Sequence, residues 1–363
     1  MDRAVAPTTD PAVRQRRRTL PPPAPPKQRF GALAIDLVAL PLLVLVAPFA
    51  LPAVVVVDLV TLRLRLPTPR LYALLIVFLC LEWVGQSKAA VIWLRGRLGA
   101  DTYDDNRRVQ GWWAGALIRW ADRLLGLRLD LPDLDTIPDG DVIVLSRHSS
   151  MLDAIVPAWI FPGPLDRPVH YVLKRELLWV ANIQVFGRRL RNHFVRRGGP
   201  DTAAEIAAIT AMAEAAEPDA GFVIFPEGTY GSAANIARIR ASLERRDDTD
   251  TLALANELEA TLPPKAAGSL ALMAARPEAP IMILGHVGLE PLADLKGLRR
   301  SLPTRDPVVV RWWIHDAADL PTDDIGRTAW VEDRWRELDR WVTATRDDLR
   351  TGRHPGSSTE LRD

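Results

Sequence analysis

The run 141-DVIVLSRHSSMLDAIVPAW-159 decides how the rest of the chain is read. Val142 to Leu145 is a short apolar stretch between Asp141 and the polar Ser146–Arg147, which is the signature of a buried strand. A polar loop follows with His148, Ser149 and Ser150, and a helix is expected to start behind it. Strand, loop and helix in that order are one unit of an α/β sheet. They leave His148 at the carboxyl edge, where such folds place their ligands. Asp153 stands five residues further on and has two readings. Its carboxylate folds back onto one imidazole nitrogen, fixes the tautomer and leaves the other nitrogen to take a proton. Otherwise Ser149 or Ser150 caps a helix, and Asp153 simply favours its first turn.

Outward from this run the same alternation continues. Strand candidates are 127-LRLDL-131, 170-HYVLK-174, 193-HFVR-196, 221-GFVIF-225, 280-PIMILG-285 and 307-PVVVRWWI-314. Between them lie helical stretches, of which 202-TAAEIAAITAMAEAA-216 and 266-AAGSLALMAA-275 are the clearest. The pattern predicts an α/β domain with both sheet faces covered. In 109-VQGWWAGALIRWADRLLGLRL-129, Trp113, Leu117, Trp120 and Leu124 recur at helical spacing, either as a core face or as a helix lying on a membrane surface.

The N-terminal third has another character. Residues 1–30 hold Arg14, Arg16, Arg17, Arg18 and the proline run 21-PPPAPP-26, and read as a disordered basic tail. Leu37 to Val57 contains no charged residue and is long enough to cross a hydrocarbon core about 30 Å thick. Pro41, Pro48 and Pro52 are expected to kink or break it, so a bent span or re-entrant hairpin stands beside a straight crossing. A second apolar segment, Leu71 to Leu94, is interrupted by Glu82 and Lys88. A cleaved signal peptide fits poorly, because the apolar region is too long and begins too late. The basic residues ahead of the first segment favour an N-terminus in the cytoplasm, and two crossings return the chain to that side. The expected division is therefore a tail 1–30, membrane-anchoring helices 31–95, an α/β domain 96–320 and a helical extension 321–363.

The totals exclude several functions. Forty-six Lys and Arg against 45 Asp and Glu give a net charge of +1, without the basic footprint of a nucleic-acid binder. Cys80 is the single cysteine, so neither an intrachain disulfide nor a cysteine zinc site can form. The six histidines show no metal-binding spacing, and G-x-S-x-G is absent, which counts against a metal-dependent hydrolase and a serine esterase. Twelve Trp against eight Phe and four Tyr is a ratio that suits a membrane–water boundary.

Two further runs carry candidate chemistry. In 222-FVIFPEGTYG-231 a strand ends in a tight turn with Glu227, Gly228 and Thr229. Gly228 permits positive φ or a close backbone approach, and Glu227 can accept from a substrate hydroxyl or orient a cation. Alone, the run is also an ordinary proline–glycine turn. The basic pairs Lys174–Arg175 and Arg196–Arg197 each follow a strand and suit phosphate oxygens, although such pairs are commonly solvated surface.

Taken in order, 148-HSSMLD-153, 174-KREL-177, 194-FVRR-197, 225-FPEGT-229 and 279-APIMIL-284 resemble the block pattern of the glycerolipid acyltransferases, which include the 1-acylglycerol-3-phosphate acyltransferases. The run 319–341 and the charged insert 234–262 resemble the lysocardiolipin acyltransferase subgroup. Tyr230 stands where the family often has arginine, which removes one phosphate contact, and Leu284 stands where proline is usual. The resemblance implies a mixed sheet with flanking helices behind a membrane-associated helical region. It implies His148 as general base on a lysophospholipid hydroxyl, oriented by Asp153. Lys174, Arg197, Glu227, Gly228 and Thr229 would then bind substrate, Arg197 at the acceptor phosphate. The acyl donor is acyl-CoA or acyl carrier protein, a substrate, and neither a cofactor nor a metal is implied. The implied partners are the lysophospholipid, most directly 1-acyl-glycerol-3-phosphate, the acyl thioester and membrane lipid, with no nucleic acid. The alternatives are another lysophospholipid or a glycolipid as acceptor, or a membrane-anchored lipid-binding protein without catalysis.

Overall fold

The computed structural model describes residues 25–150, 152–196, 202–293 and 295–353. Two long helices, α1 (Pro26–Val60) and α2 (Pro67–Arg97), precede α3 (Tyr103–Leu125). The α/β part then runs β1 (Leu129–Asp130), β2 (Val142–Ser146), α4 (Ile155–Ile160), β3 (Val169–Lys174), α5 (Ala181–Arg189) and β4 (His193–Val195). It continues through α6 (Thr202–Glu214), β5 (Gly221–Ile224), α7 (Ala233–Arg245), α8 (Thr249–Glu257), α9 (Ala266–Ala275), β6 (Ile281–Val287), α10 (Leu295–Ser301), β7 (Val308–His315) and α11 (Asp324–Arg350). Every strand expected from the sequence is present.

The seven strands form one mixed sheet of order β1-β7-β6-β2-β5-β3-β4, parallel except for the antiparallel pair β6–β7. β2 lies at its centre and is buried along its whole length. Its side chains alternate between two cores. Val142 and Val144 enter one with α3 and α4, while Ile143 and Leu145 enter the other with α9 and α11. That is why the run is uniformly apolar: a central strand covered on both faces has no solvent side. Strand order then positions the chemistry. β2 and β5 are parallel neighbours with Leu145 opposite Ile224, and β3 pairs with the other side of β5. The segments after β2, β3 and β5 therefore leave from the same edge.

The N-terminal helices depart from expectation in two ways. α1 runs unbroken through Pro41, Pro48 and Pro52, and it already begins at Pro26, inside the stretch expected to be tail. Each proline removes one N–H from the ladder, yet the flanking turns hold, supported by α2: Tyr72 donates to the Leu43 carbonyl at 2.6 Å and Trp83 Nε1 to the Asp36 carbonyl at 2.9 Å. Asp58 closes the hairpin by accepting from Thr68 N at 2.8 Å and Thr68 Oγ1 at 2.7 Å, satisfying a donor that the first turn of α2 cannot. Both helices are long and apolar enough to cross a membrane by length and composition. Phe49 (80% exposed), Leu45 and Val60 stand out from α1.

α2 also belongs to the α/β core. Leu81 is buried there, with Leu71, Leu74, Val77 and Phe78 packed against it. Glu82, fully buried, accepts from Asn182 N at 2.8 Å. The division expected at residue 95 thus cuts through one packing unit. At the other end α11 buries Val331, Trp335, Leu338 and Val342 on one helical stripe against the sheet. Residues 354–363 lie outside the described residues, as do 1–24.

Candidate active site

His148 leaves the end of β2 and is 9% exposed. Its Nδ1 lies 3.0 Å from Asp153 Oδ2. The same oxygen accepts from Ser149 N at 2.5 Å and Ser150 N at 2.8 Å, and Oδ1 accepts from Ser150 Oγ at 2.8 Å. The two sequence readings of Asp153 therefore merge. The carboxylate folds back over backbone N–H groups, and by doing so it presents an oxygen to the imidazole. Asp153 is fully buried. Burial alone would raise its proton affinity, but His286, His148 and the Ser150 N–H outweigh this and hold the carboxyl below the usual range. With Nδ1 occupied, Nε2 is the nitrogen left to accept a proton.

The ring packs on Phe225, with centroids 4.8 Å apart, and meets Tyr230 edge-on at 5.9 Å. The Lys174 ammonium lies 5.4 Å from the centre of the same Tyr230 ring. This chain thus puts an aromatic ring between the histidine and the lysine. Gly228 has φ +68°, a left-handed turn residue with the Lys265 side chain beside it, and half-buried Thr229 follows. Arg197 lies outside the described residues.

Glu227, expected at the substrate, holds the backbone of two neighbouring loops. It is 2% exposed; Oε1 accepts from His148 N at 2.8 Å and Oε2 from Leu262 N at 3.1 Å. Burial pushes its carboxyl up to about 8 against the pull of nearby Arg147. Each oxygen takes one backbone donor, so this carboxyl braces the loop that carries His148. Gly231 N donates to the His148 carbonyl at 2.8 Å and ties the two loops a second time.

Sequence reasoning missed the layer beneath. Arg147 is 1% exposed and donates to Glu290 Oε1 at 2.6 Å and to the Ala260 carbonyl at 3.2 Å. Glu290 also receives Arg346 of α11 at 3.1 Å. Asp339, also on α11, accepts from the backbone N–H of Glu259, Ala260 and Thr261 at 2.7–3.0 Å. The C-terminal helix thereby holds the segment 259–262, which leads into Leu262 and so to Glu227. A signal was present in Arg147, a charge at the end of a strand with no solvent face. Burial opposes ionisation of Glu290, yet Arg147, Arg346 and His286 prevail and hold its carboxyl down at about 2, against 4.5 for an ordinary glutamate. A depressed acid stabilises the fold above its ordinary value, and that contribution fades as pH falls from about 4.5 toward 2. Unfolding free energies of the wild type are expected to lose about 3 kcal/mol over this window through Glu290. Glu290→Gln should lower stability at pH 7 and flatten this part of the acid limb. An equally steep limb in the variant would assign the acid sensitivity elsewhere.

An apolar cavity of about 420 Å³ opens beside the pair. Leu152 and Ala154, on either side of Asp153, line it, together with Leu74 and Phe78 of α2, Leu117 and Ala121 of α3, and Leu173 and Leu177 around Lys174. Among the described residues, no group of three or more His, Cys, Asp or Glu could hold a metal ion.

Residues 128–283 match the model of the acyltransferase family. No curated protein matches the chain by sequence. Its fold is similar to the crystal structure of the 1-acyl-sn-glycerophosphate (LPA) acyltransferase PlsC from Thermotoga maritima. The TM-score is 0.50 at 14% sequence identity, covering 80% of this chain and 100% of that one. The matched segment contains β2, the paired His148 and Asp153, and the turn 225–229, so the acyltransferase-family pattern of this chain coincides with its central sheet edge.

Proposed function

We propose that the protein transfers an acyl chain from acyl-CoA or acyl carrier protein to the free hydroxyl of a lysophospholipid, 1-acyl-glycerol-3-phosphate being the acceptor that gives phosphatidic acid. The observation that carries this reading is a His148–Asp153 pair beside a deep apolar cavity. Its volume falls within the roughly 300–1,000 Å³ usual for ligand pockets, and its apolar lining suits an alkyl chain.

His148 Nε2 takes the acceptor's hydroxyl proton as the oxygen attacks the thioester carbonyl. The C–O bond forms, the C–S bond then breaks, and the thiolate leaves with the proton that His148 held. No protein nucleophile is needed. Asp153 stays ionised and stabilises the imidazolium, while Glu227 and Gly231 hold the loop from which the ring projects. Lys174 and Arg197 are assigned to the acceptor phosphate. The exposed apolar faces of α1 and α2 are assigned to the membrane, with the sheet on the cytoplasmic side, so that a lipid acceptor reaches the site from the bilayer.

The test is transfer of labelled acyl groups from acyl-CoA to a panel of lysophospholipids by membranes containing the protein. Phosphatidic acid formation is expected, and binding without transfer to any acceptor would sink the reading. The cavity assignment has its own check. Ala121→Phe fills part of the lining, so turnover with long acyl donors should fall at least tenfold while short donors are spared; overpacking by a ring costs about 1–3 kcal/mol, which a shorter chain avoids. Equal losses at every chain length would place the acyl chain elsewhere.

A further inference from the structure

Asp153 faces two histidines. His148 takes Oδ2, while His286 Nε2 lies 3.5 Å from Oδ1 and 3.1 Å from the Arg147 carbonyl. His286 sits on β6, opposite Val310 of β7, and is 1% exposed. Among the described residues its Nδ1 has no hydrogen-bond partner. This fixes the proton. A hydrogen on Nδ1 would be a buried donor without an acceptor, whereas a bare Nδ1 lone pair costs less, so the neutral ring carries its hydrogen on Nε2. That hydrogen is donated to the Arg147 carbonyl, and the positive end of the N–H dipole stands 3.5 Å from Asp153 Oδ1.

The groups around the ring keep it neutral. Burial depresses its proton affinity; Asp153 and Glu290 oppose this, and the Arg147 guanidinium adds to it, with a net lowering. Glu290 is itself engaged by Arg147 and Arg346. His286 is therefore a fixed donor on the far side of the carboxylate and does not exchange protons during a cycle.

We propose that His286 is a positioning residue for the reaction at His148: by donating Nε2–H to the Arg147 carbonyl and setting that dipole 3.5 Å from Asp153 Oδ1, it fixes the strand end that carries the loop and limits how strongly the carboxylate draws a proton onto His148. This rests on the acyl-transfer reading. A carboxylate that loses a nearby N–H dipole is a stronger partner for an imidazolium. Loss of His286 therefore holds the proton on His148 to higher pH, where a general base must be free.

The experiment uses the full chain in detergent or native membranes, with His286→Phe, which keeps a ring but no donor, and His286→Gln, which keeps an N–H. Should the phenylalanine variant not fold, His286→Leu replaces it. Three quantities are measured: kcat and KM against pH with acyl-CoA and 1-acyl-glycerol-3-phosphate, carbethoxylation of His148 against pH by peptide mapping, and the thermal midpoint. In His286→Phe the acid limb of kcat/KM and the midpoint of His148 modification should both move up by about 0.5 pH unit, the low end of what a polar contact to a carboxylate contributes. kcat at pH 7 should fall severalfold with both KM values unchanged, and His286→Gln should return both midpoints toward wild type. Unshifted midpoints in His286→Phe, or equal loss in the Phe and Gln variants that follows only the thermal midpoint, would overturn the proposal. If the wild type transfers no acyl group at any pH, the functional reading fails on that result. The modification midpoint still decides whether His286 governs the proton on His148.

Discussion

His148→Ala is expected to lower acyl transfer by three orders of magnitude or more while the protein remains folded. General-base catalysis contributes on the order of 10²–10⁴-fold, and among the described residues of the loop the ring is the group placed to take the hydroxyl proton. The fold should tolerate the change. The backbone N–H of residue 148 still donates to Glu227 and its carbonyl still accepts from Gly231, since neither contact uses the side chain. The losses are packing on Phe225 and one hydrogen bond to Asp153, whose carboxylate keeps its backbone and serine donors. Rates with labelled acyl-CoA, alongside the thermal midpoint, provide the check. Near-normal turnover in a folded variant would remove His148 from the mechanism.

Asp153→Asn should cost as much activity and, unlike His148→Ala, stability too. The carboxylate accepts from two backbone N–H groups, a serine hydroxyl and the His148 ring, all buried. An asparagine replaces one acceptor oxygen by an NH₂ that must face at least one of these donors. Each buried donor left unpaired costs about 1–3 kcal/mol, so a loss of that order in unfolding free energy is expected. The amide also cannot stabilise an imidazolium, so turnover should fall to the level of His148→Ala. A double variant should fall little further, because residues that act as one unit are not additive. Independent, multiplying losses in the double variant would show that Asp153 supports the loop and not the base.

Much of the molecule was legible in local pattern. Uniformly apolar runs such as 142–145 and 281–284 are short, rich in β-branched residues and bounded by polar or turn residues, so strands buried on both faces and a covered α/β sheet were legible from length and flanks. The pairing of His148 with Asp153 was legible for the same reason. Five residues apart, the two meet through one local turn, and Ser149 and Ser150 supply its donors.

What spans long distances in the chain was decided only by tertiary structure. Glu227 in its P-E-G-T turn has the letters of a ligand, but β5 lies beside β2, and that neighbour's loop N–H takes its oxygen. His286 is an ordinary strand histidine in the sequence, and only the β2–β6 pairing sets it behind Asp153. Arg147, Glu290, Arg346 and Asp339 are scattered charges until α11 folds across the sheet and closes them into one network around the buried Arg147. α2 reads as an anchor by its composition, yet Glu82 meets Asn182 and its leucines wall the cavity. Periodicity reports which side of an element is buried; which partner it is buried against depends on strand order and helix docking. These are set by the summed packing of the whole chain, and no local window contains that sum.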